Sequence, residues 1–89
     1  MATLSVHHKI ADYPKWRVVF DKLDTTRRQF GQTGFQVYRS AADPLEITVL
    51  TYWPSVDQAK AYATSPDLKQ AMQDAGVISQ PDVAFLEAL

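Results

Sequence analysis

The chain has 89 residues, of which 46% are hydrophobic and 21% are charged, and its formal net charge is −1. This length predicts a single domain over residues 1–89, near the size at which one core only just holds a fold together. No Lys/Arg cluster exceeds the pair Arg27-Arg28. The basic stripe that nucleic acid or an anionic membrane requires is missing, so we expect neither as a partner.

Cofactors, metals and location follow from what the sequence lacks. It contains no cysteine, which excludes disulfides and Cys-based zinc or iron–sulfur sites. His7 and His8 are neighbours on a predicted strand, so their side chains diverge and cannot chelate one metal. No cofactor motif is present, and we expect none to be bound. The first residues lack the apolar run of a signal peptide or membrane span, which predicts a cytoplasmic protein.

The first third of the chain predicts a strand followed by a helix. Apolar and polar residues alternate from Thr3 to Ile10, which is typical of a strand. Asp12 is suited to cap a helix, and Pro14 fits the first turn because its missing N–H costs nothing there. We predict one helix that ends at Gly31 or Gly34. Its buried stripe has residues spaced three or four apart: Trp16, Phe20, Leu23, Arg27 and Phe30.

The remainder predicts two antiparallel strands, further helix and a last strand. Strands Phe35–Ser40 and Ile47–Trp53 are joined by the turn sequence AADPLE. Ser55 is suited to cap the next helix, and the start signal Ser65-Pro66-Asp67 begins another helical stretch. Residues Val83–Leu89 are again strand-like.

The order strand, helix, strand, strand, helix, strand indicates an α+β protein with the ferredoxin-like βαββαβ fold. In that fold a four-stranded antiparallel sheet carries both helices on one face. The strands also place large apolar groups on the other face, for example Tyr38, Leu50 and Tyr52. A bare apolar face is unusual for a monomer, so we expect a homodimer in which two sheets pack face to face.

Two segments carry a resemblance to a known family. Leu50-Thr51-Tyr52-Trp53-Pro54-Ser55, followed by a helix and Ala61-Tyr62-Ala63-Thr64-Ser65-Pro66-Asp67-Leu68, resembles the dimeric α+β barrel superfamily and, within it, the antibiotic biosynthesis monooxygenase-like domains. The resemblance implies a dimeric α+β barrel. It also implies a range of activities: cofactor-independent monooxygenases of aromatic polyketides, haem-degrading oxygenases, isomerases, polyketide cyclases and proteins without known activity.

The chain departs from that family at two helical positions. Tyr62 and Asp67 stand where the oxygenase-like pattern has histidines, whereas Trp53 is retained. In the haem-degrading branch a helical histidine ligates iron, and no histidine follows His8 here. The resemblance therefore implies no haem ligation from the usual position.

Two polar residues stand out on apolar faces and are the candidate catalytic groups. His8 is either a general acid or base that faces a cavity, or a buried imidazole bonded to a backbone or hydroxyl partner. Arg27 either binds an anion such as a phenolate or enolate, or snorkels past the helix end or pairs with Asp24.

The candidate substrate-binding residues are aromatic or flexible apolar side chains, namely Trp16, Phe20, Trp53, Tyr62 and Met72. Taken singly they are equally typical of plain core, but together with His8 and Arg27 they describe an apolar pocket with few polar groups. We expect a protein that binds a small aromatic or polyketide-like ligand, or a cofactor-independent enzyme of the monooxygenase, cyclase or isomerase type. The alternative is a non-catalytic homodimer with a filled core. The sequence leaves open whether the protein is an enzyme.

Overall fold

A computed structural model describes all of residues 1–89. Four strands form one antiparallel sheet, and four helical segments pack on it. In chain order the elements are β1 (Ala2–Lys9), α1 (Tyr13–Lys22), α2 (Asp24–Gln29), β2 (Gly34–Arg39), β3 (Glu46–Trp53), α3 (Val56–Ala63), α4 (Pro66–Asp74) and β4 (Asp82–Glu87). The strand order is β2-β3-β1-β4. This is the ferredoxin-like α+β topology, so the predicted fold class is confirmed.

The first helix is divided, and the prediction of one continuous helix is wrong. α1 ends at Lys22 and α2 begins at Asp24, with Leu23 between them at φ −82° and ψ −4°. The Leu23 N–H is shared between the carbonyls of Val19 and Phe20, both 3.2 Å away. A six-residue second segment with two threonines has little helical propensity of its own, so packing and polar contacts decide its direction.

The second helical region is divided where the sequence predicts a new start. α3 begins after Ser55, whose Oγ accepts a hydrogen bond from the Gln58 N–H at 3.3 Å. α4 begins after Ser65, whose Oγ accepts from the Leu68 N–H at 3.3 Å. Pro66 has no N–H to continue α3, so a new helix with its own cap starts there.

The register of the sheet decides which side chains face the helices. β1 and β3 pair so that Val6 lies opposite Val49 and His8 lies opposite Ile47. All four of these side chains are buried. Residues directly opposite each other share one face of a sheet, and therefore His8 points toward the helices, as the alternation of the first strand predicts.

The helices cover β1 and β3 more fully than β4. α3 packs on β1, β3 and β4, whereas α4 packs mainly on α1. On β4 every residue is exposed, including Val83 at 47% and Phe85 at 36%. An open groove is left between α4 and this edge strand. None of the helices has both the length and the apolar character needed to cross a bilayer.

Candidate functional site

His8 is deeply buried, with 4% of its surface exposed. Neither ring nitrogen, Nδ1 or Nε2, has a hydrogen-bond partner in the protein. The great majority of buried polar atoms in proteins are paired, and leaving one unpaired costs about 1–3 kcal/mol. The alternative from the sequence, an imidazole bonded to a backbone or hydroxyl group, is therefore not what the structure contains.

The environment of His8 keeps the imidazole neutral. Burial, with a smaller contribution from the neighbouring His7, lowers the pKa of His8 to about 4. At neutral pH the ring therefore offers one nitrogen as an acceptor and one N–H as a donor. Both are directed into the protein interior, where only a ligand or water can satisfy them.

A cavity of about 60 Å³ lies beside His8, between the sheet and the helices. Twelve of its fifteen lining residues are hydrophobic. Six of the seven residues that the sequence proposes as a site line it, namely His8, Trp16, Phe20, Arg27, Tyr62 and Met72. Residues from β1, α1, α2, α3 and α4 thus meet around one space, although up to 64 positions separate them in the chain.

Arg27 is held at the cavity wall with 1% of its surface exposed. Its Nε donates to Gln32 Oε1 at 2.7 Å, and its Nη1 donates to the Phe20 carbonyl at 2.9 Å. Its Nη2 lies 3.5 Å from Asp24 Oδ1, which confirms the predicted pairing with Asp24. The other alternative, a side chain that snorkels to water, is wrong because these acceptors hold the guanidinium inside.

The guanidinium of Arg27 also contacts aromatic rings. Its central carbon lies 3.8 Å from the centre of the Phe20 ring, a distance at which cation–π attraction is effective. The Phe20 ring in turn stacks on Trp16 with centroids 5.0 Å apart. Burial lowers the pKa of Arg27 below its usual value, and nearby Tyr62 opposes this effect. Arginine retains its proton in such sites, so the cavity wall carries a charged guanidinium that is paired with Asp24.

Tyr62 contributes a neutral hydroxyl to the same space. It is 3% exposed, and its ring stacks on Trp53 with centroids 5.3 Å apart. Burial raises the pKa of the Tyr62 hydroxyl, and the Arg27 charge partly offsets that rise. The hydroxyl therefore remains protonated near neutral pH and can donate a hydrogen bond.

Trp53 is separated from the other candidate residues. It is fully buried but does not line the cavity. Its Nε1 donates to Thr51 Oγ1 at 2.8 Å, and its ring packs in a cluster with Leu4, Ala59 and Tyr62. The structure thus places Trp53 behind Tyr62, in solid core.

Sequence reasoning missed two polar residues that shape the site. Gln32 follows α2 in an irregular segment, is 7% exposed, and holds the Nε of Arg27. No periodic pattern covers this segment, so the sequence carries no signal for it. Thr51 lines the cavity, and it could have been found because it alternates with Val49 and Trp53 on the inward face of β3.

A chelated metal ion does not fit this donor set, and haem does not fit the space beside His8. The only histidines are His7 and His8, and His7 lies on the other sheet face between Glu46 and Asp82. No group of three or more His, Asp or Glu side chains is placed to hold a metal ion. The cavity beside His8 is also far smaller than a porphyrin requires.

The sequence matches the model of one known protein family. The family model described as antibiotic biosynthesis monooxygenase matches residues 6–74, which is most of the chain. The chain belongs to the antibiotic biosynthesis monooxygenase family. The resemblance seen in the sequence is thereby confirmed, and the matched range includes every candidate site residue.

Solved structures of this family share the fold over nearly the whole chain. A protein from Bordetella bronchiseptica that is named after the same family superposes with a TM-score of 0.81 at 14% identity, covering 99% of this chain and 96% of that one. SnoaB, a cofactor-independent oxygenase from Streptomyces nogalater, superposes with a TM-score of 0.78 at 12% identity, covering 99% and 92%.

A third family structure, from Caulobacter crescentus CB15, has a TM-score of 0.78 at 20% identity and covers 99% of this chain and 89% of that one. No protein among those with curated functions matches this sequence. At these identities the structural comparisons establish the shared fold, and the family match supports a small-molecule binding or monooxygenase-type function.

Proposed function

We propose that this family member binds a small aromatic or polyketide-like molecule with an acidic hydroxyl or enol, and that His8 accepts its proton. The observation that carries this proposal is the His8 imidazole, which is buried beside a cavity with both nitrogens unpartnered. A ligand hydroxyl that donates to one nitrogen and a ligand oxygen that accepts from the other would remove both unpaired groups.

Arg27 supplies the complementary charge. A guanidinium has five N–H donors, and three of its contacts are made within the protein, to Gln32, Phe20 and Asp24. The Tyr62 hydroxyl is a further neighbour of the guanidinium. A phenolate or enolate that forms at the cavity wall would share the remaining donors with it and be attracted by the guanidinium. Because the site is mostly apolar, that attraction is stronger than it would be in water.

Proton removal is the common first step of the reactions open to such a site. An enolate can cyclise or isomerise, and it can also react with dioxygen without a bound cofactor. In the last case dioxygen adds to the carbon of a ring methylene, and loss of water from the hydroperoxide leaves a carbonyl, so that CH₂ and O₂ become C=O and H₂O. SnoaB, which shares this fold, is named a cofactor-independent oxygenase, and this supports the reaction with dioxygen.

The proposal is tested by ligand titration of matched histidine variants. We expect wild type to bind 1-naphthol and to stabilise the naphtholate, so that naphtholate absorbance appears at a lower pH than in buffer. The His8→Phe variant keeps a ring against Trp16. It should show a smaller pH effect, the part due to the Arg27 charge, and bind at least about tenfold more weakly, since one charge-assisted hydrogen bond is lost.

The His7→Phe variant serves as the matched control, because His7 is half-exposed on the opposite sheet face. It should bind 1-naphthol within about twofold of wild type, because His7 makes only the smaller contribution to the lowered pKa of His8. If wild type and both variants bind equally well, or if wild type shows no naphtholate signal, the role assigned to His8 is overturned. Oxygen uptake with anthrone, whose ring methylene enolises, then tests the oxygenase reaction separately.

We also propose that two chains form a homodimer through the sheet face opposite the helices. Tyr38 and Leu86 on that face are each 49% exposed, and Leu50 and Tyr52 lie between them on β3. Burying these groups favours association. Light scattering should give about twice the 10.0 kDa chain mass, and a monomer at micromolar concentration would contradict this part of the proposal.

The second candidate function is a non-catalytic homodimer without a substrate. It is favoured by the cavity volume of about 60 Å³, which is well below the roughly 300–1,000 Å³ typical of ligand pockets. A ring-sized ligand therefore requires the helices to move apart. If no aromatic ligand stabilises the protein against heat, while the dimer forms, this second function is the correct one.

A further inference from the structure

A larger groove lies directly outside the cavity, between α4 and the edge strand β4. We call it the α4 groove; its volume is about 560 Å³. Its floor and sides come from the α3–α4 junction, from α4, from the segment before β4 and from Val83, which is 47% exposed. This volume falls within the range of small-molecule pockets, whereas the cavity alone does not.

The α4 groove and the cavity share a wall of three apolar side chains. Val6, Leu68 and Met72 line both spaces. Val6 belongs to the central strand β1 and is 7% exposed, so it is a fixed part of the core. Leu68 and Met72 lie on α4 one turn apart and are only half-buried, which makes them the movable part of the wall.

α4 is the least firmly packed helix around the site. It contains no buried residue and packs mainly on α1 instead of on the sheet. Methionine is unbranched and flexible, so Met72 can change rotamer without a large cost in packing. A small displacement of α4 or of these two side chains would join the cavity of about 60 Å³ to the groove.

We propose that the α4 groove is a second subsite for the same ligand, which is an elongated molecule with its ring beside His8 and an anionic chain end at Lys69. Lys69 is the only charged residue among those that line the groove. The other lining groups are apolar or neutral, including Pro81 and Val83. An apolar chain that ends in a carboxylate matches this arrangement, and Leu68 and Met72 form the gate between the two subsites. This inference rests on the proposed function for the position of the ring.

Three probes separate the two subsites. 1-Naphthol tests the cavity alone, a 1-naphthol with a six-carbon carboxylic acid chain on its second ring tests both subsites, and the methyl ester of that acid removes the charge. Burial of several methylenes in the groove should make the acid bind at least about tenfold more tightly than 1-naphthol to wild-type protein in calorimetric titrations.

Two variants test the groove itself. Lys69→Met should weaken the acid about two- to fivefold and leave 1-naphthol and the ester unchanged, as expected for an exposed charge pair. Val83→Glu should weaken the acid more, because it places a like charge beside the chain. Lys15→Met, at an exposed lysine of α1 outside the groove, is the matched control and should bind all three probes as wild type does.

The outcomes separate this inference from the proposed function. If 1-naphthol binds but the acid is no tighter, or if Lys69→Met and Val83→Glu leave the acid unchanged, the second subsite is overturned while the role of His8 stands. If the acid binds in a Lys69-dependent way and 1-naphthol shows no dependence on His8, the subsite is supported and the proposed function fails. If neither probe binds to wild type, both are overturned.

Discussion

Trp53 and His8 are buried to a similar degree on the same sheet face, yet the polar atoms of their rings differ in hydrogen bonding. The single polar atom of Trp53, its Nε1, is bonded to Thr51 at 2.8 Å, and its ring stacks on Tyr62. Both polar atoms of His8 are unpaired, and a cavity lies beside them. The interior around Trp53 is therefore close-packed, and we call it the closed end. The interior around His8 contains unpaired polar atoms and a cavity, and we call it the open end.

This contrast indicates which part of the interior stabilises the fold and which part lowers its stability. A buried polar atom without a partner lowers stability, so it persists where function requires it or where strain is compensated elsewhere. The end around Trp53 supplies that compensation through close packing of Leu4, Ala59 and Tyr62. The end around His8 retains a neutral imidazole, a fixed guanidinium and a cavity of about 60 Å³.

The largest expected effect is on the closed end. Trp53→Ala should lower the free energy of unfolding by about 3–5 kcal/mol, because it removes a fully buried ring and leaves a cavity that cannot collapse. Urea unfolding followed by circular dichroism measures this. A loss below about 1 kcal/mol would show that this end is not close-packed.

The second prediction concerns the pH dependence of the free energy of unfolding, to which buried His8 contributes. The unfolded imidazole takes up a proton below its ordinary pKa of 6.5, whereas buried His8 resists protonation until about pH 4. Stability is therefore fully present above pH 6.5 and is lost as the pH falls toward 4, by about 3 kcal/mol in all for this residue.

His8→Phe should lack this component, and comparison of the two pH profiles by urea unfolding cancels the contribution of the carboxylates. Parallel loss of stability in wild type and His8→Phe between pH 7 and pH 4 would show that His8 titrates normally. It would also remove the distinction between the two ends of the interior.

The third prediction concerns the support of Arg27. Gln32→Ala removes the acceptor of the Nε of Arg27 and should cost about 1–3 kcal/mol, since a buried charged donor is left unpaired. Gln29→Ala, at an exposed glutamine of α2, is the control and should change stability by less than about 0.5 kcal/mol. Equal effects in thermal unfolding would mean that Gln32 does not hold the guanidinium.

The smallest expected effect is at the gate. Met72→Ala should cost about 1–2 kcal/mol, at or below the low end for buried methionine, because Met72 is half-buried and already borders a cavity. The enlarged space should bind 1-naphthol more tightly than wild type does. Unchanged binding, or a loss as large as that of Trp53→Ala, would show that Met72 belongs to the closed core.

The sequence predicts the open end only in part. Alternation along β1 places His8 inward, and helical spacing places Trp16 and Phe20 over it, since both signals are local. The break at Leu23 is not predicted. The Arg27 side chain, which donates to the Phe20 carbonyl at 2.9 Å, spans this break. Such a contact depends on the three-dimensional arrangement and leaves no periodic signal.

The sequence likewise does not predict that Trp53 lies in the core whereas Trp16 lines the cavity. Both tryptophans occur in apolar patterns, and only the packing of distant residues places Trp53 behind Tyr62 and Trp16 at the cavity. Cavity volume is a small difference between large packed volumes, so it follows from the complete side-chain arrangement and from no single segment.

The open, ligand-accessible character of the His8 region is tested most directly by an NMR titration of the His8 imidazole, with and without saturating 1-naphthol. Free His8 should titrate near pH 4, and the bound anion should raise its pKa. Titration near 6.5 in both states, with no response to the ligand, would show that this ring faces ordinary solvent and would contradict the proposed role of His8.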